Sequence, residues 1–152
     1  VQIFILDEDF KKNVQYHMDS HVVKGILESA QLLSNAVRLS GIDEGYKPTH
    51  IHHPCSKWVC NSLSNWQWLW CLVQALNDEW KYRYEHIRNH KSIYIVNKLP
   101  EPNIADIGLT PFALAMPADC KSNNAVESYR KYYREHKQHL ASWKKRGKPE
   151  WY

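Results

Sequence analysis

HMDSHVVKGILESAQLLSNAVR, residues 17–38, is the stretch whose reading decides the fold. On a 3.6-residue period, His17, His21, Lys24 and Glu28 fall within a window of roughly 60° on one side of a helix. Val22, Val23, Ile26, Leu27, Ala30 and Leu33 fall on the other side. The spacing therefore predicts a first long helix from about Asp19 to Arg38, with an apolar back, a titratable front, and Asp19 or Ser20 as its cap. Upstream, DEDFKKNVQY (7–16) offers an Asp cap and a turn or two of helix. A separate helix from Asp19 leaves the stripe at the surface. One unbroken helix from Asp9 would align Phe10 and Val14 with the histidines and turn the stripe inward.

Working outward, VQIFIL (1–6) is too short to separate an edge strand from an extended lead-in. SGIDEGYKPTHIHHPC (40–55) is a loop by its Gly, Pro and clustered His, with Ser56 placed to cap the next helix. Ser64 with Gln67 three residues later opens a strong helical pattern through Trp66, Leu69, Trp70, Val73, Leu76, Trp80 and Tyr84, the expected central core helix. KSIYIVNK (91–98) is a short strand or the end of another helix, and LPEPNIADIGLTPFALAMPADCK (99–121), with four prolines, is an irregular surface arm. A last helix is expected from Asn124 to Trp143. Val126, Tyr129, Tyr133, His136 and Leu140 form its apolar side, with Arg130, Arg134 and Lys137 opposite.

These elements in 152 residues predict an all-α protein: one compact helical domain spanning 1–152, with a Pro-rich arm and at most a short N-terminal strand. Seven Trp and nine Tyr supply core filling, while five Gly disfavour a turn-rich β-sandwich or a Gly-rich nucleotide loop. Four irregularly spaced cysteines and no leader-type apolar run predict a reduced, cytoplasmic protein. WLWCLVQAL (68–76), the longest apolar stretch, is too short for a bilayer span.

The net charge is +4, but residues 121–152 alone carry nine Lys or Arg against three Glu. That basic end, with its interleaved rings in YRKYYREHKQHLASWKKRGKPEWY (129–152), suits a polyanion such as DNA. The candidate nucleic-acid contacts are Arg130, Arg134, Lys137, Lys144, Lys145 and Arg146, with His53 from the loop. A solvated basic helix face is the plainer explanation.

Three constellations carry possible chemistry. In the stripe, a glutamate flanked by cations can act as base or charge stabiliser, and histidines that titrate near neutrality can move protons or contact phosphate. A solvated face or a satisfied core cluster explains the same spacing. HIHHPC (50–55) packs His50, His52, His53 and Cys55 into six residues, and His17, Asp19 or His21 could complete a divalent-metal shell, but no standard ligand hook is present. His86 and His90 have an i,i+4 spacing without a linked carboxylate motif, so no metal or other cofactor is the leading expectation. The third is Val1. A free α-amine has a pKa of about 7.7 to 8, so part of it is a neutral nucleophile near pH 7.

The blocks HMDSHVVKGILE (17–28), HHPCSKW (52–58), GLTPFALAMP (108–117) and YRKYY (129–133) with PEWY (149–152) resemble a family of small proteins encoded by tailed phages and large DNA viruses. More distantly, the order of features resembles the pyrimidine-dimer DNA glycosylases, small helical enzymes with a nucleophilic N-terminal amine and a glutamate on the first long helix. That resemblance implies Val1 as the amine, Glu28 as the carboxylate, and His17, His21 and Lys24 as sugar- and phosphate-facing neighbours. The chain departs from it in having Val rather than Thr first and Leu27 rather than Arg before the glutamate. The resulting expectation is an intracellular DNA glycosylase/lyase acting on damaged or modified pyrimidines in an infected cell. The alternatives are a metal-dependent hydrolase or nucleotide-modifying enzyme built on His17, Asp19, His21, Glu28 and the HIHH loop (50–53), and a non-catalytic nucleic-acid-binding module.

Overall fold

The computed structural model describes residues 1–152, and its regular structure is entirely helical. The helices are α1 (Phe10–Tyr16), α2 (Asp19–Leu39), α3 (Pro54–Asn61), α4 (Leu63–Tyr84), α5 (Lys91–Lys98) and α6 (Ala125–His136). Short 3-10 turns cover Ala118–Cys120 and Gln138–Leu140. Helices α2 and α4 form the central pair, with α1, α3 and α5 packed around them. The expected central helix is thus α4, and Trp66, Leu69, Val73 and Leu76 on its predicted face are buried. Gly25 lets the pair approach: a Cβ there would stand 3.1 Å from Leu76 Cδ1. KSIYIVNK is helix α5, and the arm is irregular. No helix is long and apolar enough to cross a membrane.

The long first helix starts where its pattern predicts, because His17 and Met18 adopt extended backbone and separate α1 from α2. Asp9 caps α1, accepting from the Lys12 N–H at 2.9 Å. The capping of the other helices departs from expectation. Met18, not Asp19 or Ser20, is the N-cap of α2, and the Asp19 side chain serves a tertiary contact instead. His53 rather than Ser56 caps α3, its Nδ1 accepting from the Cys55 N–H, with Pro54 in the first turn. Ser62, not Ser64, precedes α4, and Ser64 Oγ donates to Asp106 of the arm at 2.6 Å.

The N-terminal segment is not an edge strand; it is a lead-in without regular structure, and it is buried. Ile3, Phe4, Ile5 and Leu6 are consecutively buried because α2 covers one side and α6 the other. The Phe4 ring stacks on His21 of α2 at 4.3 Å and meets Tyr133 of α6 edge-on at 5.2 Å. Side chains take the place of a partner strand for its backbone: Leu6 N–H donates to Asn13 Oδ1 (2.8 Å), and Arg130 Nε donates to Leu6 O (2.8 Å).

Helix α6 ends at His136, well short of the Trp143 expected from its pattern. The residues beyond it dock on the start of α2. Ser142 O accepts the Asp19 N–H, Ser142 Oγ and Lys144 N–H donate to the Asp19 carboxylate, and the Trp143 indole donates to Tyr16 O. His136 lies outside the core, exposed and paired with Asp119 at 3.0 Å. Leu27, placed on the apolar side by spacing, is also exposed.

Candidate active site at the chain start

The N-terminal segment, α2 and His53 enclose a pocket of about 310 Å³, closed below by Leu72 and Leu76 of α4 and at one side by Lys137 and Leu140. Val1, His17, His21, Lys24 and Glu28 all line it. The Val1 side chain is buried, which pins the first residue. Its amine sits 3.5 Å from Glu28 Oε2. The same oxygen accepts the Gln2 N–H at 2.9 Å, and the Gln2 side chain donates to Ala115 O of the arm at 2.9 Å. Glu28 is thereby aimed by the backbone beside the amine, while its side chain keeps contact with solvent.

The stripe faces in two directions. His17 and His21 are buried beneath Phe4, whereas Lys24 is exposed and Glu28 half-buried at the mouth. Burial lowers the His17 pKa to about 4, the Asn13 carbonyl at its Nδ1 only partly opposing it. Burial lowers His21 to about 3, with His17, Lys137 and Lys24 repelling its charged form. Both rings are therefore neutral at pH 7, and proton shuttling near neutrality, expected of them from sequence, does not fit their surroundings. His53 is pushed down by burial first and by the nearby N-terminal ammonium second. Lys24 and Lys137 are the basic side chains of the pocket, against the single carboxylate of Glu28, with the Val1 nitrogen beside that carboxylate.

The remaining basic candidates are committed elsewhere. Arg130 bonds Leu6 O and Asp7 and packs its guanidinium over Trp151 at 5.1 Å. Arg146 makes a two-point contact with buried Glu79 and lies 4.2 Å from the Tyr82 ring centre. Arg134 donates to Trp151 O, Lys145 pairs with Glu85 at 3.5 Å, and Lys144 lies over Tyr84. The aromatic-basic tail is thus largely an internal brace, and of the basic candidates Lys137 and His53 are the two that reach the pocket.

Of the residues of the metal alternative, His17, His21, Glu28 and His53 line the pocket without forming a cluster of ligand atoms tight enough for one ion, and the others lie elsewhere. Asp19 is held by Arg83, Ser142 and Lys144, His50 and His52 are exposed, and buried Cys55 has its thiol pushed up to about 11 by desolvation. A set that does converge is Asp119, Cys120, Glu135 and His136, with donor atoms within 4.8 Å of one another, outside the pocket.

Sequence reasoning missed Gln2, Phe4, Ser20 and Tyr133 as parts of the site. Ser20 Oγ lines the pocket, buried and without a hydrogen-bond partner. Its place three residues after His17 and four before Lys24 was the available signal. Gln2 acts through its backbone, which no side-chain pattern reports. No protein-family model, curated protein or solved structure matches the chain.

Proposed function

We propose that this protein is a DNA-processing enzyme, a base-excision glycosylase/lyase in which the Val1 amine is the nucleophile and Glu28 its acid–base partner. The observation that carries this reading is the Val1 amine 3.5 Å from the Glu28 carboxylate, at the wall of a pocket otherwise edged by cations. The reading requires Val1 to carry a free α-amine in the mature chain, which intact-mass measurement and N-terminal sequencing determine directly.

The chemistry starts from that pair. Glu28 is placed to take a proton from the ammonium, leaving a neutral amine. The amine nitrogen bonds to the sugar C1′ of a nucleotide as the C1′–base bond breaks, and the base departs with that bond's electron pair and takes up a proton. Loss of the second amine proton and opening of the sugar ring give a Schiff base, in which the ring oxygen becomes a hydroxyl. Glu28 gives the proton it took to the departing base, and the carboxylate so restored stabilises the cationic states that follow. Lys24 and Lys137 supply positive charge for the flanking phosphates.

Borohydride reduces a Schiff base to a stable secondary amine, so the expected result is a covalent protein–DNA adduct on ultraviolet-damaged, uracil-containing or abasic duplexes. Acetylating the Val1 amine, or making Glu28→Gln, is expected to abolish it. Absence of an adduct on all three substrates, with Val1 verified as free, overturns the reading. Salt-sensitive binding without any adduct would point to a binding module instead.

A further inference from the structure

His17 and His21 each spend Nδ1 on a partner behind the ring and leave Nε2 without a protein partner, unsealed, at the pocket. The two partners differ in kind, and this fixes the tautomers. Asn13 O, 2.7 Å from His17 Nδ1, can only accept. His17 therefore carries its proton on Nδ1 and offers a bare Nε2 lone pair. Tyr133 is fully buried, and its Oη already accepts the Met18 N–H at 3.2 Å. Its own hydrogen must go somewhere, and His21 Nδ1 at 2.8 Å is the acceptor. His21 therefore carries its proton on Nε2. The pocket holds one fixed acceptor and one fixed donor on neutral rings.

That pair is wrong for phosphate, because the His17 lone pair repels an anion. It matches a neutral group carrying a donor and an acceptor side by side, such as the N–H and C=O of a lactam. A pocket of about 310 Å³ lies at the small end for ligand sites and has room for one nucleobase. We propose that His17 and His21 read the lactam edge of a nucleobase, its ring N–H donating to His17 Nε2 and its carbonyl accepting from His21 Nε2–H. This rests on the nucleotide reading of the pocket and names the substrate edge. The base end is then the histidine end, and the anionic end is the mouth with Lys24 and Lys137.

Histidine nitrogen NMR tests this on the full chain. In the free protein His17 is expected as the Nδ1–H form and His21 as the Nε2–H form. Deoxyuridine 5′-monophosphate is expected to shift both rings. Its N3-methyl analogue, which lacks the donor, is expected to bind about tenfold more weakly, the worth of one well-made hydrogen bond. Inorganic phosphate is expected to leave both rings unmoved. Tyr133→Phe, checked for folding by circular dichroism, is expected to release His21 into a mixture of tautomers. Finding His21 as Nδ1–H in the unaltered protein, equal binding of the methylated nucleotide, ring shifts reproduced by phosphate alone, or no shift at saturating nucleotide each overturns the proposal. Borohydride trapping is scored separately. If tautomers and N3 discrimination hold without trapping, the pocket reads a base and the amine chemistry falls; if trapping holds without discrimination, the reverse is true.

Discussion

Two clusters of ionisable groups flank α2, and they differ in how fully they are satisfied. At the start of the helix, Arg83 of α4 is buried with all five N–H donors used: Glu79 at 2.6 Å, Asp19 at 3.1 Å, His17 O at 2.6 Å, Val14 O at 3.1 Å and Gln15 O at 2.9 Å. The three carbonyls stand at the end of α1, where Val14 O also accepts the His17 N–H at 3.3 Å, so Arg83 also caps that helix. A turn or two further along, the pocket carries the amine, Lys24, two unpartnered Nε2 atoms and the orphan Ser20 Oγ. The first cluster is closed and the second is open. Residue type does not separate them, since Asp19 and His17 stand two positions apart; what separates them is whether donors and acceptors find partners inside the chain.

The largest expected effect breaks the closed cluster. Arg83→Met removes five donors and leaves Glu79, Asp19 and three carbonyls buried without them, so a loss of about 3–5 kcal/mol is expected in urea unfolding. Set against about 5–15 kcal/mol for a typical domain, this leaves the variant marginal or unfolded. A loss under about 1 kcal/mol would show that the cluster is not a structural centre.

Acid separates the clusters without mutation. His17 and His21 have folded pKa values lowered from 6.5 to about 4 and about 3. The unfolded chain therefore binds two protons as pH falls through 6.5, and the folded chain does not. Their contribution is fully present above that value and is lost as pH falls toward 4. Around pH 5 the expected slope is about 2 kcal/mol per pH unit, measured as urea stability against pH. Burial alone would push the Glu79 carboxyl up, but hydrogen bonds from Arg146 and Arg83 outweigh it and hold it below its ordinary 4.5. Its share is present above 4.5 and is lost only below that, on top of the last part of the histidine decline. A flat profile between pH 6.5 and 5 would mean that the two rings are not buried neutral.

At the open cluster the comparison predicts the opposite balance. Glu28→Gln keeps the shape and an oxygen for the Gln2 N–H, so stability is expected to change by less than about 1 kcal/mol, the range of a partly exposed ion pair. Trapping is expected to fall by about 10²–10⁴-fold, the usual worth of a positioned acid–base group. A variant that unfolds like Arg83→Met would place Glu28 with the structural residues.

Much of the arrangement was legible because it is local. The α2 boundaries followed from the period of its apolar residues, and the convergence of His21, Lys24 and Glu28 on one pocket followed from the same period, whereas His17 joins them from extended backbone ahead of the helix. The Asp cap of α1 was legible, but those of α2, α3 and α4 were not: Asp19 looks like an N-cap by neighbourhood, but Arg83, 64 residues away, takes its carboxylate. The tail misled for the same reason. Arg130 and Arg146 read as free cations beside aromatics until Leu6 O, Asp7 and Glu79 arrive from elsewhere in the chain. The inward turn of the two histidines depended on VQIFIL threading between α2 and α6, a packing that a six-residue segment cannot announce.

The smallest expected effect lies where a charge pair belongs to neither cluster. Lys145 reaches Glu85 at 3.5 Å, with the glutamate side chain 80% exposed, so water competes for both ions. Its neighbour Arg146 makes two contacts to Glu79, whose side chain is 3% exposed. Lys145→Ala is therefore expected to shift urea stability by no more than about 0.5 kcal/mol. Arg146→Ala, which takes two charged hydrogen bonds from a buried carboxylate, is expected to cost at least about 1 kcal/mol. Equal costs at these adjacent positions would mean that partner burial does not set the worth of a charge here, and the distinction between closed and open clusters would lose its physical basis.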